Sequence, residues 1–126
     1  MRVLIVDDEN DIRRIASLSL TAVGGMEVAE AASGPEGVRK AQEELPDVIL
    51  LDMMMPGMDG PATLQVLRDN PATARIPVVF LTAKAMSSEV ERLKGLGARG
   101  VLTKPFDPMT LPGQLRAIVE NGQTDR

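Results

Sequence analysis

With 126 residues, 44% of them apolar, the chain has room for one domain around one sizeable core. Only two aromatics occur, Phe80 and Phe106, so that core must be built from Val, Leu, Ile, Ala and Met. A net charge of −4 with no long Lys/Arg run argues against direct DNA binding, and the lack of Cys and His excludes disulfides, thiolate or imidazole metal sites and a phosphohistidine made on this chain.

The chain opens on Val3-Leu4-Ile5-Val6, a β-branched run that stops at Asp7-Asp8. Ile12, Ile15, Leu18 and Ala22 then recur at helical spacing, and Gly24-Gly25 is the expected stop. A short strand is predicted over Glu27 to Ala31. Ser33 and Glu36 have capping-box spacing with Pro35 in the first turn, opening a helix that carries Val38, Ala41 and Leu45 and ends at Pro46. Val48-Ile49-Leu50-Leu51 runs into Asp52, followed by the turn-rich loop Met53 to Gly60. A third helix holds Leu64 and Leu67, and Pro71 to Pro77 is a connector.

Val78-Val79-Phe80-Leu81 ends at Thr82, and a helix with Val90, Leu93 and Leu96 is expected from Ser87 or Ser88 to Gly97. Val101-Leu102 ends at Thr103-Lys104, and Asp107-Pro108 reads as a cap with a first helical turn. The last helix carries Leu115, Ile118 and Val119. Proline lacks a donor and clashes one turn back, so Pro112-Gly113 predicts a late start or a kink. The domain is expected over residues 1–121, with 122–126 as a polar tail and fraying from Asn121. No apolar run approaches the roughly 20 residues that span a bilayer, and no signal-peptide pattern precedes the first strand. A cytoplasmic protein is the expectation.

Strict β/α alternation implies an α/β fold: a (βα)5 doubly wound, five-stranded parallel sheet, flavodoxin-like, with order 2-1-3-4-5 among the few permitted by right-handed crossovers. That order gathers Asp7, Asp8 and Asp52 at one carboxyl rim. Carboxylates at about 4 Å repel by on the order of 4 kcal/mol at an effective dielectric of 20, so the cluster calls for a cation. Oxygen-only ligands favour Mg²⁺, with Mn²⁺ or Ca²⁺ possible. Asp52 is then a candidate nucleophile for a phosphoryl group, with Lys104 and the Thr82 hydroxyl available to its oxygens. Taken singly, each residue has a plainer reading. An Asp after a strand is usually a turn or cap residue, Lys-Pro an exposed turn, Thr82 a helix entry and Met53 to Met55 loop packing. Four polar strand ends together point to one site.

The motifs VLIVDDE, VILLDMMMPGMDG, VVFLTAK and VLTKPF, in this order and spacing, resemble those of bacterial response-regulator receiver domains. The resemblance runs from about Arg2 to Val119 and is greatest to chemotaxis-type single-domain regulators. It implies that Asp52 is the phosphoacceptor of a two-component phosphorelay, served by a sensor histidine kinase or phosphotransfer protein. It implies Mg²⁺ held by Asp8, Asp52 and the Met54 backbone carbonyl, with Asp7 acting through bound water. Thr82 and Lys104 would contact the phosphoryl group, Lys104–Pro105 would be cis, and Ala83 would be the small residue that keeps the site accessible. The role is that of a regulator that catalyses its own phosphorylation and slow dephosphorylation, not of a conventional enzyme. Output would pass to an unidentified protein partner, as a monomer or a weak phosphorylation-linked dimer. A piece of a longer regulator would read the same way.

Three positions depart from the family's usual pattern. Val101 stands where many receivers carry a switching aromatic, so no aromatic flip reports phosphorylation here. Pro112-Gly113 lies on the face that usually carries output. Met54 and Lys84 hold positions that often tune phosphoryl hydrolysis, and an apolar Met54 cannot orient water, which predicts a long-lived phosphoryl group. Competing readings fit less well. A haloacid-dehalogenase phosphatase wants an acid where Met54 stands, and a nucleotide or flavin module wants a Gly-rich loop where Asp7-Asp8-Glu9 stands. A receiver-like scaffold that is never phosphorylated would be expected to lack an acid or the lysine.

Overall fold

The computed structural model describes residues 1–84 and 86–124, with side chains as far as 121. Strands β1 (Arg2–Val6), β2 (Glu27–Ala31), β3 (Val48–Asp52), β4 (Val78–Thr82) and β5 (Gly100–Thr103) alternate with helices α1 (Asn10–Leu18), α2 (Gly34–Glu44), α3 (Gly60–Asp69), α4 (Ser87–Gly95) and α5 (Leu111–Thr124). Every strand pairing is parallel and the order is β2-β1-β3-β4-β5, the expected one among the few that the alternation permits.

The apolar runs are continuous because the strands bury both faces. Val3, Ile5, Val48, Leu50, Val79 and Leu81 pack toward Ala16, Leu20, Leu111 and Leu115 on the α1 and α5 side. Their alternates Leu4, Val6, Ile49, Leu51, Val78 and Phe80 pack toward Ala41, Leu64, Leu67 and Leu93 under α2, α3 and α4. A fully buried Leu or Ile contributes about 1.5–3 kcal/mol, so these two layers are the main source of stability.

Three helix readings need correction. Ile15, Leu18 and Ala22 do not face the core; Ile15 and Leu18 are 45% and 64% exposed. The buried positions are Ala16, Ser19 and Leu20, which with half-buried Ile12 form an ordinary helical stripe; α1 then continues as a π segment, Ser19–Val23, in which Gly24 N–H donates to Ser19 O five residues back. Leu45 is not on the α2 face either. It caps the helix in the left-handed conformation at φ 46° and is exposed. Leu96 lies just past α4 and is 43% exposed, while Gly97 takes φ +112° to turn the chain. At the C-terminus, α5 is described as far as Thr124, and the last two residues of the expected tail lie outside the described residues.

The capping box forms one residue early. Ser33 Oγ accepts the Glu36 N–H at 3.2 Å, and Glu36 accepts from Ala32 N–H at 2.6 Å rather than from Ser33. That bond holds the Glu36 carboxyl below its ordinary range. At α5 the late start is the outcome. Asp107 closes a turn by accepting Met109 N–H at 2.9 Å, the helix begins at Leu111, and Pro112 sits in its first turn, where no donor is missed. A Cβ on Gly24 would lie 2.7 Å from Pro112, so only glycine lets α5 approach the end of α1.

Candidate functional site

The carboxyl ends of β1, β3, β4 and β5 carry the site. Val6 and Leu51 are paired in the central strands, so the next residues of each, Asp7 and Asp52, emerge side by side. One oxygen each from Asp7, Asp8 and Asp52 lies within 4.8 Å of the others. Asp7 and Asp52 are buried, at 1% and 4% exposure, and Asp8 is half-buried. From β5, the Lys104 ammonium reaches Asp52 Oδ1 at 3.0 Å, Asp7 Oδ2 at 3.2 Å and Glu9 Oε1 at 3.4 Å. The Lys104–Pro105 peptide is cis.

Burial forces the Asp52 carboxyl up to about 6, opposed by the Lys104 hydrogen bond and reinforced by the Asp7 charge, while the Met54 N–H pulls the other way. Burial alone would lower Lys104, but its hydrogen bond to Asp52 and the charges of Asp7 and Asp52 hold it above its ordinary value. One lysine therefore faces more acid than it can neutralise. Asp7 Oδ1 accepts the Glu9 N–H at 2.9 Å, whereas Asp7 Oδ2, near the ammonium but poorly aligned to it, is buried without a hydrogen bond among the described residues. The ion pair with Lys104 offsets only part of the cost of burying that oxygen, and an oxygen-only donor set with excess negative charge fits a hard divalent cation.

Thr82 is buried at the end of β4, where its Oγ1 accepts the Lys84 N–H at 3.2 Å. It shares a cleft of about 350 Å³ with Met53, Met54, Ala83, Lys84, Met86 and Glu89. Met54 is 77% exposed on the lip of that cleft. The structure thus gathers Asp7, Asp8 and Asp52 into one cluster, brings Lys104 into contact with Asp7 and Asp52, and sets Thr82 and Met54 in the adjoining cleft. Val101 is half-buried and packs against the α2–α4 core layer.

Sequence reasoning passed over Glu9, Asp59 and Gly60. Glu9 follows the acid pair, and its place beside it was the available signal. Asp59 caps α3 by accepting Ala62 N–H at 2.9 Å, with Pro61 in the first turn. A Cβ on Gly60 would meet Asp52 O at 2.6 Å and the Phe80 ring at 2.8 Å, so glycine there lets the loop close over Asp52.

Comparison with known proteins agrees with this architecture. The response regulator receiver domain family matches residues 3–116. The response regulator PleD of Caulobacter vibrioides is 43% identical over 119 residues, which are 93% of this chain and 26% of PleD. The probable transcriptional regulator ycf27 of Guillardia theta is 38% identical over 120 residues, 94% of this chain and 45% of that protein. The chain thus spans less than half the length of either relative. Among solved structures, the chemotaxis response regulator CheY4 of Vibrio cholerae superposes with a TM-score of 0.86 at 37% identity, covering 93% of this chain and 97% of that one. No described helix is long and apolar enough to cross a membrane. The sheet order, the acid cluster and these matches together establish that the chain belongs to the response regulator receiver domain family, the phosphoacceptor switches of two-component systems.

Proposed function

We propose that Asp52 takes a phosphoryl group from a phosphohistidine on a sensor histidine kinase or phosphotransfer protein, and that the resulting shift in conformation controls a protein partner. The observation that carries this reading is the convergence of three carboxylates on one buried spot with Lys104 3.0 Å from Asp52. Asp7, Asp8, Asp52 and the Met54 backbone carbonyl would hold Mg²⁺, or Mn²⁺ in its place. When bound, the ion supplies charge neutralisation at the phosphoryl oxygens. A carboxylate oxygen of Asp52 forms the new bond to phosphorus. The phosphorus–nitrogen bond of the donor breaks and its imidazole departs with the electron pair.

The acyl phosphate carries about two negative charges where the Asp52 carboxylate carried one, beside acids that are already in excess. Lys104 turns its ammonium from the Asp52 carboxylate toward the phosphoryl oxygens. Thr82 gives up its contact with Lys84 N–H and donates its hydroxyl proton to a third oxygen. The loop after Thr82 and α4 follow, which is a population shift between two nearby states. Val101 supplies no aromatic flip, so the signal travels through this loop. Met54 offers no polar atom from its side chain to orient attacking water, which supports a slow return to the unmodified state. The setting is the cytoplasm, the chain acts as a monomer or a weak phosphorylation-linked dimer, and DNA is not its direct target.

Incubation with acetyl phosphate and Mg²⁺, followed by intact-mass measurement, tests the assignment. The wild type gains one phosphoryl group. No gain, or a gain that survives replacement of Asp52 by Asn, would sink it.

A further inference from the structure

We infer that Arg13 is a positioning residue for the acid cluster, holding the backbone of Asp7 so that Asp7 and Asp8 keep the spacing a divalent cation requires. The inference rests on reading that cluster as a Mg²⁺ site. Arg13 lies in the first turn of α1, and its side chain is only 16% exposed. Its Nη1 donates to the Asp7 carbonyl at 2.7 Å, its Nε to Glu30 Oε1 at 3.1 Å and its Nη2 to Asn10 Oδ1 at 2.6 Å. One planar fork thereby ties the end of β1, the edge strand β2 and the start of α1 together. A lysine, with a single ammonium on a flexible stem, cannot span these three acceptors in the same way.

Asp7 is restrained from several sides. Its N–H donates to Ala31 O at 3.1 Å, its Oδ1 accepts Glu9 N–H at 2.9 Å, and its carbonyl is taken by Arg13. Oδ2 is the buried atom left without a hydrogen bond. The direction of that atom is therefore set by the backbone that Arg13 holds, and Asp8 hangs from the same peptide. The fork has its own anchor on the sheet. Glu30 is paired in register with Ile5, and its carbonyl accepts from Lys40. The contact reaches the Asp7 carboxylate through its backbone, three bonds from the carboxyl carbon, and outer partners of metal ligands typically govern metal affinity by about 10- to 100-fold.

The test is Mg²⁺ binding by isothermal titration calorimetry on the unphosphorylated protein, since the chain has no Trp to report metal by quenching. Arg13→Met should weaken Mg²⁺ binding by about ten-fold or more, and Arg13→Lys should recover part of the loss. Arg39→Met is the control for charge alone. Arg39 is 58% exposed on α2, paired with Glu36 and Glu43, and its loss should move affinity by no more than about two-fold. Urea midpoints of the metal-free variants separate loss of stability from loss of affinity. Should Arg13→Met not fold, Glu30→Ala removes the anchor of the fork and should still weaken binding several-fold. Equal affinities for Arg13→Met and Arg39→Met would overturn the role of Arg13 alone. A wild type that binds no Mg²⁺ would overturn both this inference and the reading on which it rests.

Discussion

The two rims of the sheet are built from the same charges and put them to different use. At the amino rim, Arg2 faces Glu27 at 3.4 Å with the two side chains 49% and 78% exposed, and its N–H donates to Asp47 at 2.7 Å. At the carboxyl rim, Lys104 faces Asp52 at 3.0 Å with Asp52 almost wholly buried. Water screens the first pair, so it contributes little. The second lies where the effective dielectric is lower, and there the same charges shift protonation, repel one another and create a demand for a cation. What separates the rims is the loop after β3, which closes over Asp52 because Gly60 carries no Cβ.

The largest expected effect breaks the carboxyl rim outright. Asp52→Asn should abolish labelling by acetyl phosphate, while replacement of Glu27 at the other rim should leave it intact. Next comes Lys104→Met, which strands Asp7 and Asp52 without their counter-charge. It should cost about 2–3 kcal/mol in metal-free buffer, below the range for a fully buried pair because the lysine keeps some contact with water. Far-UV circular dichroism in urea measures this, and added Mg²⁺ should restore much of the loss.

A third expectation concerns pH. Asp52 titrates near 6 in the folded protein against 3.8 as its ordinary value, so the folded state holds its proton more tightly. Its contribution to stability is full below about 3.8 and is lost as pH rises through 6. Wild type should therefore lose urea resistance relative to Asp52→Asn across that window without Mg²⁺. An identical pH profile for the two proteins would count against the buried, repelled carboxyl. Smaller still, Met54→Asn places a polar group on the lip of the cleft and should speed loss of the phosphoryl group by several-fold, about 1 kcal/mol of barrier. Unchanged turnover would show that Met54 does not set the lifetime. The smallest change is Arg2→Met, expected to alter stability by less than about 0.5 kcal/mol because its partners are exposed.

Strands were easier to read from the chain than helices, and the reason is physical. Val3 to Val6, Val48 to Leu51 and Val78 to Leu81 bury both faces, so an unbroken apolar run has one interpretation and its polar end marks the rim. In α1 several apolar residues compete for one buried stripe. Spacing allows either Ile15 and Leu18 or Ala16, Ser19 and Leu20 as that stripe, and packing against the sheet buries the second set. Leu45 likewise reads as core until the left-handed cap turns it outward. Nothing in local pattern announces that Arg13 reaches Asp7 O and Glu30, since such contacts join separate segments or depend on how a helix is rotated.

Hydrophobic periodicity, turn residues and the polar residue that ends each strand narrowed the strand order to the few topologies open to a parallel sheet, and the family resemblance of the motifs selected the order that sets the acids and the lysine at one rim. How deeply those charges are buried, which oxygen of Asp7 is left unbonded and what holds its backbone were decided only by tertiary packing. Burial and hydrogen-bond geometry depend on atoms contributed by several strands and loops at once, and no single stretch of the chain encodes them.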